Sequence, residues 1–195
     1  MHPMSVRIRR WFLNHMAAWC VLFRRRDRAL EYYARMLALD PHDALALASI
    51  GFNYAQLGRL REALGMFDRV AAIKPHDAEA HFDRGFLLQE LGDHEGALGA
   101  FRRALAINQD HDRALYGMAL SLIATRRLDE AVAPLRKNTR LQPMSPFGWY
   151  QLARVFHQLG RLEEMQKVLD HLATFEPKVA RQLQREIGFA AAPPA

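Results

Sequence analysis

The stretch Leu47-Ala48-Ser49-Ile50-Gly51-Phe52-Asn53-Tyr54, continued by Ala63, Phe67 and Pro75, decides how the whole chain is read. Two apolar residues stand three apart, a small residue follows the second, and an aromatic comes three further on. Ala and Phe then stand four apart, and a proline closes the pattern. A shift of 34 residues gives His81, Arg84, Gly85, Leu88, Ala97 and Phe101, with Gln109 in place of the proline. The next shifts give Leu115, Met118, Ala119, Leu122, Ala131, Leu135, Pro143 and then Trp149, Leu152, Ala153, Phe156, Met165, Leu169, Pro177. A backward shift gives Leu13, Met16, Ala17, Cys20, Ala29, Tyr33, Pro41. A fixed period of this length means one supersecondary unit copied in tandem. One copy cannot bury its own apolar face, so neighbours must stack.

This spacing resembles the tetratricopeptide repeat, a helix–turn–helix unit, over residues 10–177. The resemblance implies an all-α, right-handed α-solenoid of five helix pairs and a C-terminal capping helix, eleven helices with no sheet. The expected units are about 10–43, 44–77, 78–111, 112–145 and 146–177, with a cap at 178–188. Residues 1–9 form a basic segment ahead of one solenoid at 10–189, and 190–195 are expected to be disordered, having little to pack with.

The residue types have physical reasons. Gly51, Gly85, Ala119 and Ala153 are small where two helices cross, and Ala63, Ala97 and Ala131 match them on the second helix. Met165 breaks that series, which suggests looser or shifted packing. Gly58, Gly92 and Gly160 fall at the turn between helices, where a positive φ suits glycine. Arg126 takes that slot in the fourth unit, and that turn should be strained. Asp43, Asp77 and Ser145 read as N-caps, and Pro146 suits a first helical position.

Charge is uneven. The net charge is +6, and residues 1–40 hold eight arginines against three carboxylates. The basic clusters Arg7-Ile8-Arg9-Arg10 and Arg24-Arg25-Arg26 flank the apolar run 11–23. Asn14 and His15 interrupt that run, and arginines follow where a signal peptide needs small residues. No stretch reaches the roughly 18 apolar residues of a membrane span. The expected location is therefore cytoplasmic, or peripheral on the cytoplasmic face of a membrane. The single cysteine, Cys20, excludes an internal disulfide and reads as a buried small hydrophobe.

In the family that this chain resembles, the first helix of each unit lines the concave wall. Projecting the helical period onto those helices leaves an inward set beside the core slots. It comprises Leu45 and Phe52; Glu79, Phe82, Phe86 and Gln89; Arg113, Tyr116 and Leu120; Phe147, Tyr150, Arg154 and His157. An aromatic strip with interspersed charge suits a peptide or helix with apolar anchors, extended or helical. The Lys/Arg/Asn carboxylate clamp of some family members is not matched, since Phe82, Phe86 and Gly117 stand there. A second contact face is expected at Phe12, Trp19 and Phe23, for a membrane surface or self-association.

No nucleophile elbow, phosphate loop or zinc helix occurs, and no histidine pair has ligand spacing. The expectation is a non-catalytic scaffold or adaptor with a protein or peptide partner, without cofactor, metal or small-molecule substrate. The short, local arginine clusters argue against nucleic acid. A membrane assembly adaptor and a secretion-type chaperone for a partner subunit are the alternatives.

Overall fold

Five turns recur in phase along the chain. Residues 24, 58, 92, 126 and 160 all adopt positive φ: Arg24 (57°), Gly58 (75°), Gly92 (82°), Arg126 (61°) and Gly160 (70°). The helices before them end alike. The N–H of Arg25, Arg59, Arg127 and Arg161 donates to the carbonyl five residues back, on Cys20, Tyr54, Leu122 and Phe156, at 2.7–2.9 Å. This is the closing bond of a Schellman motif. Arginine at two of these positions accepts a conformation that costs an L-residue about 1 kcal/mol. The strain expected at Arg126 is therefore present, and Arg24 shares it.

The computed structural model describes residues 5–188. Within them lie eleven α-helices and no strand: α1 (Val6–Leu22), α2 (Arg26–Leu39), α3 (Ala44–Gln56), α4 (Leu60–Ile73), α5 (Ala78–Glu90), α6 (His94–Ile107), α7 (Asp112–Ala124), α8 (Leu128–Leu141), α9 (Pro146–Gln158), α10 (Leu162–Phe175) and α11 (Pro177–Glu186). The first ten are five helix–turn–helix pairs, and α11 is the terminal cap. The tail at 190–195, expected to be disordered, lies outside the described residues.

The helix starts follow local chemistry. Asp43 accepts from the N–H of Leu45 and Ala46, and Asp77 accepts from the N–H of Glu79. Ser145 precedes α9 as expected but makes no side-chain cap bond; Pro146 supplies the first helical position. The missing proline at Gln109 is followed by a different cap: His111 Nδ1 accepts from the N–H of Ala114 at 3.3 Å.

The chain forms two compact units, up to Gly92 and from Asp93 onward. In the first, α1 pairs with α2 and α3 with α4, and α2 packs on α3 and α4 on α5. Gly51 in α3 faces the ring of Phe67 in α4. A Cβ at Gly51 would come within 2.6 Å of that ring, so the small residue is required by the crossing. In the second unit α6 packs on α7, α7 on α8, α8 on α9, and α10 on α9 and α11. Its core runs through Leu122, Leu135, Phe156, Leu169 and Leu183. Each fully buried leucine or phenylalanine contributes about 1.5–3 kcal/mol by leaving water. Met165, which breaks the alanine series, is fully buried in the core of the second unit. Cys20 is only half-buried at the edge of the first unit's core.

Candidate functional site

The repeat places equivalent residues on one face of each first helix. In the first unit these are Leu45 and Phe52 on α3, and Glu79 and Phe86 on α5. Leu45 is 51% exposed, Phe52 53% and Phe86 46%. These side chains are not part of the core, because Leu47, Ile50, Leu87 and Leu88 already fill it. Phe52 packs edge-on against buried Phe67, with ring centroids 5.0 Å apart, so half its ring is fixed and half is presented. Phe82 departs from expectation. It is only 9% exposed and lies within 6.4 Å of the Phe86 ring. Its ring buttresses Phe86 and offers little surface of its own: the two residues share a helix face, and Phe82 lies at the edge of it that neighbouring side chains cover. Gln89 is half-buried.

In the second unit the matching face carries Arg113 and Leu120 on α7, and Phe147 and Arg154 on α9. Phe147 is 66% exposed. Tyr116, Leu120, Tyr150 and His157 are half-buried. Burial raises Tyr116 above the ordinary phenol range, against a hydrogen bond with Gln151. The Tyr150 hydroxyl donates to Glu186 of α11, and that bond, ahead of burial, raises Tyr150 and lowers Glu186. The Arg154 guanidinium lies 5.7 Å from the Tyr150 ring centroid. Tyr150 is thus held in place by the capping helix, which no local sequence pattern signals.

The comparisons agree with the fold. A family model described as tetratricopeptide repeat matches residues 24–81 and 88–138, more than half of the chain. The chain belongs to the tetratricopeptide repeat family. Further models of the family match residues 53–111 and 148–179. Among solved structures, it is similar to MamA (18% identity, covering 95% of this chain and 98% of that one, TM-score 0.80). It is also similar to YrrB, described as a TPR protein with an unusual peptide-binding site (22% identity, 89% and 90% covered, TM-score 0.76). A third is PilF of Pseudomonas aeruginosa (14% identity, 95% and 87% covered, TM-score 0.76). At these identities the likeness is one of fold. No curated protein matches the sequence significantly.

Among the tetratricopeptide repeats of this chain the first stands apart, since α1 lies outside the residues that the family models match. α1 buries Ala17 and leaves Phe12, Trp19 and Phe23 exposed. The sequence reading missed three further members of this face, Ile8, Trp11 and Leu22, all more than half exposed. The helical period puts them on the same stripe: Ile8 stands four before Phe12, Trp11 three after Ile8, and Leu22 three after Trp19. Trp19 and Phe23 stack with centroids 5.8 Å apart. The helix is fastened from its inner side. Arg10 donates from Nη2 to Asp43 Oδ1 at 3.0 Å, and its Nε lies 2.6 Å from Oδ2 of this fully buried carboxylate.

A second surface was not legible either. A cavity of about 390 Å³ in the second unit is lined by Arg136 and Arg140 of α8, Trp149 of α9, and Lys167 and His171 of α10. Among the described residues no group of three or more His, Cys, Asp or Glu could hold a metal ion.

Proposed function

We propose that this tetratricopeptide protein is a non-catalytic scaffold or adaptor that binds a peptide or helix of a partner protein on the exposed faces of its first helices. One observation carries the reading. Leu45 and Phe147 share one repeat position and Phe52 and Phe86 another; all four are roughly half or more exposed and surplus to a core that is already filled. Large apolar groups held at fixed spacing on a rigid helix suit apolar anchors of a partner. Within each unit a charge accompanies these anchors: Glu79 in the first, Arg113 and Arg154 in the second. The description of YrrB as having a peptide-binding site supports this mode.

The test measures two quantities on Phe86→Ala and Phe52→Ala: melting temperature, and retention of the partner captured by wild type. The expected outcome is loss of the partner with a nearly unchanged melt, since central anchors commonly contribute 2 kcal/mol or more. A lowered melt with the partner retained would reassign these rings to packing. Co-purification of a small aggregation-prone subunit would favour the chaperone variant of the reading.

In this reading the protein sits in the cytoplasm or peripherally on the cytoplasmic face of a membrane. The exposed aromatics of α1 support the second placement.

A further inference from the structure

We infer that the outer face of α1, together with a notch between α1 and α2, docks the protein on a membrane surface rich in anionic phospholipid. The inference names the lipid chemistry and the docking residues, and it stands independently of the faces on α3, α5, α7 and α9.

α1 is apolar on both sides. Its inner side holds Leu13, Ala17 and Cys20 in or against the core of the first unit. Its outer side presents Ile8, Trp11, Phe12, Trp19 and Leu22, with Trp19 56% and Leu22 71% exposed. A surface helix of a folded unit normally turns polar residues outward. Tryptophan, moreover, favours the headgroup level of a bilayer, where an apolar body and a polar N–H are both accommodated.

The charges select the kind of membrane. Residues 1–26 contain no aspartate or glutamate. Arg7 and Arg9 stand at one end of the helix and Arg24 and Arg25 at the other, all exposed. Beside the apolar face lies a notch of about 310 Å³ lined by Arg9, Phe12, Leu13, Arg35, Ala38 and Leu39. Two guanidinium groups over an apolar floor fit a phosphate headgroup with the start of its acyl chains. Among the described residues neither Arg9 nor Arg35 has a carboxylate partner, whereas neighbouring Arg10 is engaged with Asp43. No described helix is long and apolar enough to cross a membrane, so α1 would lie in the interface plane.

The same charges disfavour a second copy of the chain as the occupant. A two-fold contact of α1 on α1 sets arginines against arginines with no carboxylate on the face to pair them. An anionic lipid surface meets both the apolar stripe and its cationic ends.

The experiment is flotation of the full-length protein with two vesicle types: pure phosphatidylcholine, and equal parts phosphatidylcholine and phosphatidylglycerol. Wild type is expected to float with the anionic vesicles, to float poorly with the neutral ones, and to be released by high salt. Trp11→Ser with Trp19→Ser should lower the partition coefficient at least about tenfold. Arg9→Gln with Arg35→Gln should lower anionic binding about fivefold per arginine. All these side chains are outside the core, so thermal melts of the variants should match wild type, and a matched melt certifies each comparison. Phe86→Ala should float like wild type even where it loses a protein partner, which separates this site from the other. The proposal is overturned if wild type ignores anionic vesicles, or if the tryptophan variant floats equally well. It is also overturned if that variant abolishes only a concentration-dependent dimer, which would make a second copy the occupant.

Discussion

At the C-terminal end, α11 buries Ala180 and Leu183 against α10 and α9 and turns Lys178, Arg181, Gln182 and Arg185 to solvent. At the N-terminal end, α1 buries Ala17 and turns Ile8, Trp11, Phe12, Trp19 and Leu22 to solvent. α11 thus turns charged and polar side chains to water and also positions Tyr150, whereas α1 turns large apolar ones outward. In the reading inferred above, those aromatics of α1 serve a contact with lipid.

The contrast can be broken most sharply by truncating each end. Leu183→Ala removes a fully buried side chain and is expected to cost about 2–4 kcal/mol in a denaturant melt. Trp19→Ser, at the opposite end, should change the same melt by less than about 0.5 kcal/mol. Comparable losses would mean that α1 packs its outer face and the contrast is false.

A middle-sized effect tests how α1 is fastened. Arg10→Ala strips the partner from buried Asp43, and Arg10 itself is 44% exposed, so a loss of about 1–2 kcal/mol is expected. Arg9→Ala, one residue away, should be near neutral. Equal effects would show that the two arginines do not divide into a structural and a surface role.

The smallest effect asks whether α1 ends as the other repeat helices do. Arg24→Gly and Arg126→Gly should each stabilise by about 0.5–1 kcal/mol, because both residues hold a positive φ that glycine adopts freely. A stabilisation at 126 without one at 24 would set the first turn apart from the rest.

Much of this was legible beforehand because it is periodic. Gly58, Gly92 and Gly160 announced their turns, and Arg126 was readable as a strained substitute only because it fell on the same beat. Arg24 was overlooked because the first repeat is the weakest match. Asp43 and Asp77 cap as their positions suggest. Ser145 does not, since a cap needs a side-chain rotamer aimed at a free N–H and sequence position alone does not supply one. Phe82 was placed on the exposed face by projection, yet the face of a helix is a continuous arc. A residue near its edge is assigned by the neighbour that packs there, and not by the period.

The all-α class, the five helix pairs, the turns at 58, 92, 126 and 160 and the capping helix follow from the amino-acid sequence. Each depends on local spacing, and a 34-residue period repeats local spacing five times. Tertiary structure alone decided which aromatics are spent on the core and which remain on the surface. It turned Phe82 inward and Phe86 outward, seated Arg10 on Asp43, tied Tyr150 to Glu186, and opened the notch between Arg9 and Arg35. Those outcomes depend on which helix lies against which, so residues far apart in the chain settle them together.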